Sequence, residues 1–107
     1  MDPLHLTTSR RDGILLVSVS GELDIATTEQ FRRHLLQLLQ EAGRCSCREV
    51  RLVIELSRLS FIDAAGLGIL VSVQNQALSQ HTPMRIASAP PAMRRLLRIT
   101  GLDQLLT

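Results

Sequence analysis

The run Val50-Arg51-Leu52-Val53-Ile54-Glu55-Leu56-Ser57-Arg58-Leu59-Ser60-Phe61-Ile62-Asp63-Ala64-Ala65-Gly66-Leu67-Gly68 decides the fold. Its first part, Val50 to Leu56, is nearly continuous in apolar side chains, the pattern of a strand covered on both sides, so it predicts a central strand. After Phe61-Ile62 the chemistry changes. Asp63 stands before a stretch that reaches about Gln80, which predicts a helix with Asp63 as N-cap, its carboxylate accepting from the first free N–H groups.

Working outward, Leu4, Leu6 and Thr8 alternate with polar neighbours, and Ile14 to Ser20 is rich in β-branched residues. Asp12-Gly13 lies between them, a hairpin turn signal. Gly21 is expected to break the second strand. From Ala26 to Ala42, Phe31, Leu35, Leu38, Leu39 and Ala42 recur at helical spacing, and Gly43 provides a stop. Past the His81-Thr82-Pro83 turn a short strand is expected over Met84–Ser88. Pro90-Pro91 then opens a last helix, Ala92–Thr100, stopped by Gly101, with Leu102 free to pack back on its end.

The order β-β-α-β-α-β-α requires parallel strands joined by right-handed crossovers, preceded by an antiparallel edge. The expected fold class is therefore α/β: a mixed sheet of four or five strands, an opening hairpin, then βαβα units with helices packed on the sheet. A chain of 107 residues that is 45% apolar suits one domain with one core, expected to span 1–107.

Composition removes several function classes. The net charge of +2 comes from twelve arginines and no lysine, scattered in ones and twos rather than gathered into a phosphate-binding stripe. With two Phe, no Tyr and no Trp there is no stacking platform for single strands. No run is long and apolar enough to span a bilayer, and Met1 to His5 lacks the basic and apolar regions of a leader, so a cytoplasmic location is expected. Cys45 and Cys47 form a lone C-x-C in a polar turn with no nearby His, which predicts free thiols rather than a metal site. His5, His34 and His81 stand apart from any nucleophile, and Gly66-Leu67-Gly68 lacks the lysine of a nucleotide cradle. No enzyme and no cofactor are expected. His34 falls on the polar side of its helix and reads as a surface residue.

Two segments remain, both placed where a strand hands over to a helix, the usual position of sites in open α/β sheets. They are Gly21-Glu22-Leu23-Asp24-Ile25-Ala26 and Leu56 to Gly68. The G-E-L-D element and the L-S-x-L-x-F-I-D-x-x-G-L-G element resemble the two signatures of the STAS domain of anti-sigma factor antagonists, and the likeness extends over nearly the whole chain. In that family the residue two places after the aspartate of F-I-D-S-S-G is the serine phosphorylated by a partner kinase that is also the anti-sigma factor. Here the two serine positions are Ala64 and Ala65. Ala65, at the phosphoacceptor position, has no hydroxyl and cannot be phosphorylated.

The resemblance implies a docking surface made of Asp24, Ser57, Asp63, Ala64, Ala65, Gly66, Leu67, Gly68 and Ile69. It would bind a serine-kinase anti-sigma factor and release a sigma factor, a partner switch held in its binding-competent state. Asp24 either meets a basic partner group or caps the helix from Ala26, with capping favoured. Ser57 and Ser60 stay open as other phosphosites. The helix after Asp63 reads as apolar on two sides, with Leu67, Leu70, Val71 and Leu78 on one and Ile69 and Val73 away from it, which fits either a partner or a neighbouring helix. Other readings are a soluble subunit of an ABC-type lipid or anion transporter and a scaffold in a stress-signalling assembly. A homodimer is compatible with all three.

Overall fold

A computed structural model of the chain describes residues 3–44 and 50–106. Strands β1 (His5–Arg11) and β2 (Ile14–Leu23) form an antiparallel hairpin in which Arg11 faces Ile14. The two loop residues, Asp12 at φ 51° and Gly13 at φ 80°, both take the left-handed conformation that a tight two-residue turn needs. Helix α1 (Thr28–Arg44) leads to strand β3 (Arg51–Ile62), helix α2 (Ala64–Ser79) to strand β4 (Met84–Ala87), and helix α3 (Pro91–Ile99) to a 3-10 turn over Leu102–Leu105. The sheet has four strands in the order β1-β2-β3-β4, with β2, β3 and β4 parallel. This is the expected mixed α/β sheet, at the lower of the two strand counts.

The two crossover helices lie against each other and back one face of the sheet. Leu15, Val17 and Val19 of β2, with Leu52, Ile54 and Leu56 of β3, are buried beneath them, and Phe31, Leu35, Leu38, Leu39 and Ala42 are the buried stripe of α1, as its periodicity predicts. Leu16, Ser18 and Ser20 point to the other, more open face. Pro91 occupies the first turn of α3, where its missing N–H costs nothing. Gly101 (φ 79°) turns the chain so that Leu102 and Leu105 return to the core, and Leu106 bridges to Ile86 on the outer side of β4.

Several boundaries differ from the sequence reading, each for an identifiable reason. Gly21 does not break β2, which continues to Leu23. Its φ of 96° is accommodated inside the strand, where a Cβ would stand 2.1 Å from the Pro3 carbonyl oxygen. The central strand does not stop at Leu56 but runs to Ile62. Its register against β2 slips twice, between Ser18 and Ser20 and between Gly21 and Glu22, so β3 carries an extra residue at each bulge. That is why its buried positions change from every second residue (Leu52, Ile54, Leu56) to every third (Leu59, Ile62).

Helix α1 begins at Thr28, not Ala26, because the Asp24 carbonyl accepts from both Thr27 and Thr28 N–H and holds the intervening residues in a turn. Gly43 lies inside the helix rather than ending it. On α2 the buried stripe is Gly66, Leu67, Leu70, Val73 and Ala77. Val73, expected to point away, faces the core, and Val71 and Leu78, expected with Leu67 and Leu70, are exposed. His34 is half-buried against β1, with its Nε2 2.7 Å from the Thr8 hydroxyl, not a free surface residue. Cys45 and Cys47 lie outside the described residues.

Candidate docking surface

The carboxyl ends of β2 and β3 meet side by side. Leu23 pairs with Ile62, and the Asp63 N–H donates to the Leu23 carbonyl at 3.2 Å, so Asp24 and Asp63 leave the sheet from adjacent strand ends. Asp63 is in extended conformation and its Oδ1 accepts from the Gly66 N–H at 3.0 Å, the N-cap geometry expected. Gly66 is required by packing. A Cβ there would come within 2.8 Å of Leu23 Cγ and 2.9 Å of Ile62 Cγ1, so the first turn of α2 lies directly on the strand ends. The same constraint opens the other side of that turn: Ala64 and Gly68 are exposed and Ala65 is half-buried, whereas Leu67 is inward. Ile69 is partly buried against the core.

Asp24 is engaged locally. Its Oδ1 accepts from the Ala26 N–H at 2.9 Å, and the Thr27 hydroxyl bridges to the Glu22 carbonyl at 3.0 Å while accepting from the Asp24 N–H at 3.0 Å. These bonds fix a turn that pushes Ile25 outward, 81% exposed. Phe61, just before the strand end, is 48% exposed because the second bulge places Ile62 inward and Phe61 outward. Neither Ile25 nor Phe61 was singled out from sequence. The signal for Phe61 was present in the three-residue spacing of Leu56, Leu59 and Ile62. Ile25 stands alone in a polar turn, outside any periodic stripe.

Ser57 is separated from this cluster. It lies at the first bulge, roughly 15 Å back along β3 at about 3.3 Å per residue, where its hydroxyl donates to Glu55 Oε1 at 2.8 Å. Ser60 is nearer, with its hydroxyl bound to the Gly21 carbonyl at 2.9 Å. The structure therefore brings together Asp24, Asp63, Ala64, Ala65, Gly66, Leu67 and Gly68, and leaves Ser57 apart.

No charged residue occurs anywhere in α2, over 16 residues, and its outer side presents Ala64, Gly68, Val71, Ser72, Asn75 and Leu78. Depletion of charge around exposed apolar side chains is characteristic of the centre of protein interfaces. Among the described residues no three His, Cys, Asp or Glu side chains converge as metal ligands.

A mixed sheet backed on one face by its crossover helices, with an uncharged helix start and two exposed apolar side chains at the strand ends, defines an α/β domain whose surface suits protein contact. The family model described as "Mlab, STAS domain" matches residues 6–107, and the chain belongs to the STAS domain family.

Among similar proteins, an anti-sigma F factor antagonist of Paenibacillus polymyxa is 28% identical over 103 residues, covering 96% of this chain and 84% of the relative. An anti-sigma-B factor antagonist of Staphylococcus aureus is 27% identical, covering 96% and 90%. The crystal structure of an anti-sigma factor antagonist from Mycobacterium paratuberculosis superposes with a TM-score of 0.81 at 29% identity, over 98% of this chain and 84% of that one. The phosphorylated form of the Bacillus cell fate determinant SpoIIAA shares the fold, with a TM-score of 0.72 at 20% identity over 98% and 89%.

Proposed function

We propose that this chain is an anti-sigma factor antagonist, which binds an anti-sigma factor of the serine-kinase type through the first turn of α2 and so frees a sigma factor. The observation that carries the reading is the uncharged outer side of α2 next to the Asp24 and Asp63 turns, with Ile25, Phe61, Ala64 and Gly68 open to a partner. Named antagonists among the relatives favour it over the transporter-subunit and scaffold readings. A sigma-factor circuit would place the chain in the cytoplasm.

Ala65 is the second residue of α2 and corresponds, on this reading, to the serine that relatives phosphorylate. A phosphate there would sit on the free N–H groups of the helix start, which the domain itself tolerates, but would add nearly two negative charges to the docking surface. Alanine removes that possibility, so the chain stays competent to bind. Its output is then set by its amount or by a second signal, not by phosphorylation at the helix start.

The test is co-elution of the purified chain with serine-kinase anti-sigma factors of its own organism, with and without ATP. A complex that survives ATP, with no phosphoryl group on the chain, is expected. Ala65→Ser should become a phosphoryl acceptor, and Ala65→Glu should weaken the complex by about tenfold or more, since each tenfold is about 1.4 kcal/mol. A glutamate in the first helical turn is compatible with folding, so a lost complex reports on docking. Phosphate found on Ser57 or Ser60 would overturn permanent competence, and failure to bind any such kinase would overturn the docking reading.

A further inference from the structure

The two edges of the sheet are treated differently. On the outer side of β4 the C-terminal turn closes in, with Leu106 bridged to Ile86. At the other edge β1 pairs with β2 alone among the described strands. A free strand edge presents unpaired N–H and C=O groups and is a template for an added strand. β1 is seven residues long and carries the only large apolar side chain of its run, Leu6, half-buried.

Helix α1 runs beside this edge in step with it. Gln30 reaches the Leu4 carbonyl at 3.4 Å, His34 the Thr8 hydroxyl at 2.7 Å, and Glu41 grips Arg10 through both carboxylate oxygens. Between the first two of these contacts the elements part, leaving an open groove of about 420 Å³. Its walls are Leu4, His5 and Leu6 on one side and Gln30, Arg33, His34 and Gln37 on the other. No carboxylate lines it. Arg33 is exposed and has no ion-pair partner among the described residues. The Gln30 amide already occupies an edge carbonyl, but at 3.4 Å this is a long bond that a backbone N–H can replace.

We infer that the β1–α1 groove is a strand-addition site for an extended acidic segment of a partner protein, paired along β1 with its carboxylates toward Arg33 and the Gln30 and Gln37 amides. Main-chain bonds to the edge would provide affinity, and the helix wall would select side chains at alternate positions of the guest. An acidic guest is favoured because the groove offers one guanidinium without an ion-pair partner among the described residues, with amide N–H donors beside it and no carboxylate in its lining. The groove begins where His5 pairs with Ser20, at the same end of the sheet as Asp24 and Ile25, with β2 between it and the start of α2, so the two surfaces are told apart by which amides respond.

The experiment uses the full chain labelled with nitrogen-15 and three peptides: alternating Glu and Val, the same peptide N-methylated at alternate residues, and alternating Lys and Val. The Glu–Val peptide should shift amides of His5–Arg11 and of Gln30–Gln37 while leaving those of Asp63–Gly68 in place. N-methylation should abolish the shifts, and the Lys–Val peptide should produce none. Arg33→Glu, at an exposed position, should leave the spectrum otherwise unchanged and weaken binding about tenfold. No shift at millimolar Glu–Val peptide overturns the proposal, as do shifts confined to the start of α2 or equal binding of the N-methylated peptide. Inorganic phosphate that reproduces the Arg33 and His34 shifts would make the groove an anion site instead. Shifts along β1 that follow protein concentration alone would make a second copy the occupant.

Discussion

Gly66 and Gly68 sit two residues apart in the same turn of α2 and meet opposite surroundings. A methyl on Gly66 would press against the side chains of Leu23 and Ile62, both buried, at 2.8 to 3.0 Å, whereas one on Gly68 would meet nothing within 4 Å. Alanine is favoured over glycine in a helix by about 1 kcal/mol. Gly68→Ala should therefore stabilise the chain by up to about that amount, and Gly66→Ala should destabilise it by roughly 1–3 kcal/mol because overpacking outweighs the helix gain. Urea midpoints of the two variants moving in the same direction would refute this account of the first turn. On the docking reading Gly68→Ala also tests the surface, since a methyl on the exposed side should hinder a partner that approaches the backbone closely. Asp63→Ala removes the one side-chain acceptor for the Gly66 N–H and should cost about 1 kcal/mol, most of which Asp63→Asn should retain.

At the scale of elements, β3 does two jobs in one strand. Leu52 to Leu56 form the middle of the sheet, and the two bulges that follow rotate the chain so that Ser57, Arg58, Ser60 and Phe61 are exposed while Leu59 and Ile62 stay inside. The spacing L-x-I-x-L-x-x-L-x-x-I is written in the sequence, but only pairing against β2 shows that it is a bulged strand rather than a strand followed by a loop. The contact between β1 and α1 was not legible in the same way. Arg10 and Glu41 are 31 positions apart, and their forked ion pair lies on the surface, where the hydrogen bond to Glu41 raises the Arg10 pKa and the one from Arg10 lowers that of Glu41. Such exposed pairs contribute little and are screened. Glu41→Gln should lower the thermal midpoint slightly at low salt and leave it unchanged at high salt. A salt-independent loss would mean that the pair acts through packing.

The whole molecule should lose stability in mild acid, and His34 is the reason. Burial against β1 lowers its pKa below the usual 6.5, and the Arg10 charge adds in the same direction. Thr8 bonds it, Arg10 acts on it through its charge, and Gln30, Arg33 and Gln37 share its groove; none of these is negative. Because the native state disfavours the imidazolium, the unfolded chain binds the proton more readily below pH 6.5. The contribution of neutral His34 is therefore present in full above that value and is lost as pH falls through it. Glu41, whose pKa lies below its usual 4.5, loses its own contribution in the same direction but in a more acid window. Urea midpoints should fall between about pH 7.5 and about pH 5.5 in the parent, and much less in His34→Gln, which keeps a donor for Thr8 without titrating. An equal fall in both would place the acid sensitivity elsewhere.

Local patterns were enough for the order of elements, the hairpin turn at Asp12-Gly13, the Asp63 cap, the stripe of α1 and the stop at Gly101, because each depends on residues within one or two turns of one another. The STAS signatures at Gly21–Ala26 and Leu56–Gly68 were readable for the same reason, and the family match over residues 6–107 agrees with them. The two sides of α2 were misassigned because a helix with no charged residue has no polar face to mark its outside, so burial under α1 and over the strand ends had to decide that Val73 turns in and that Val71 and Leu78 turn out. Ile25 and Phe61 emerged as exposed, Ser57 separated from the helix start, and His34 moved from the surface to a half-buried contact, all through register and long-range packing. Side-chain chemistry along the chain set what each segment can form. The pairing of β2 with β3 and of β1 with α1 set which residues share a surface, since those contacts join positions that no local period relates.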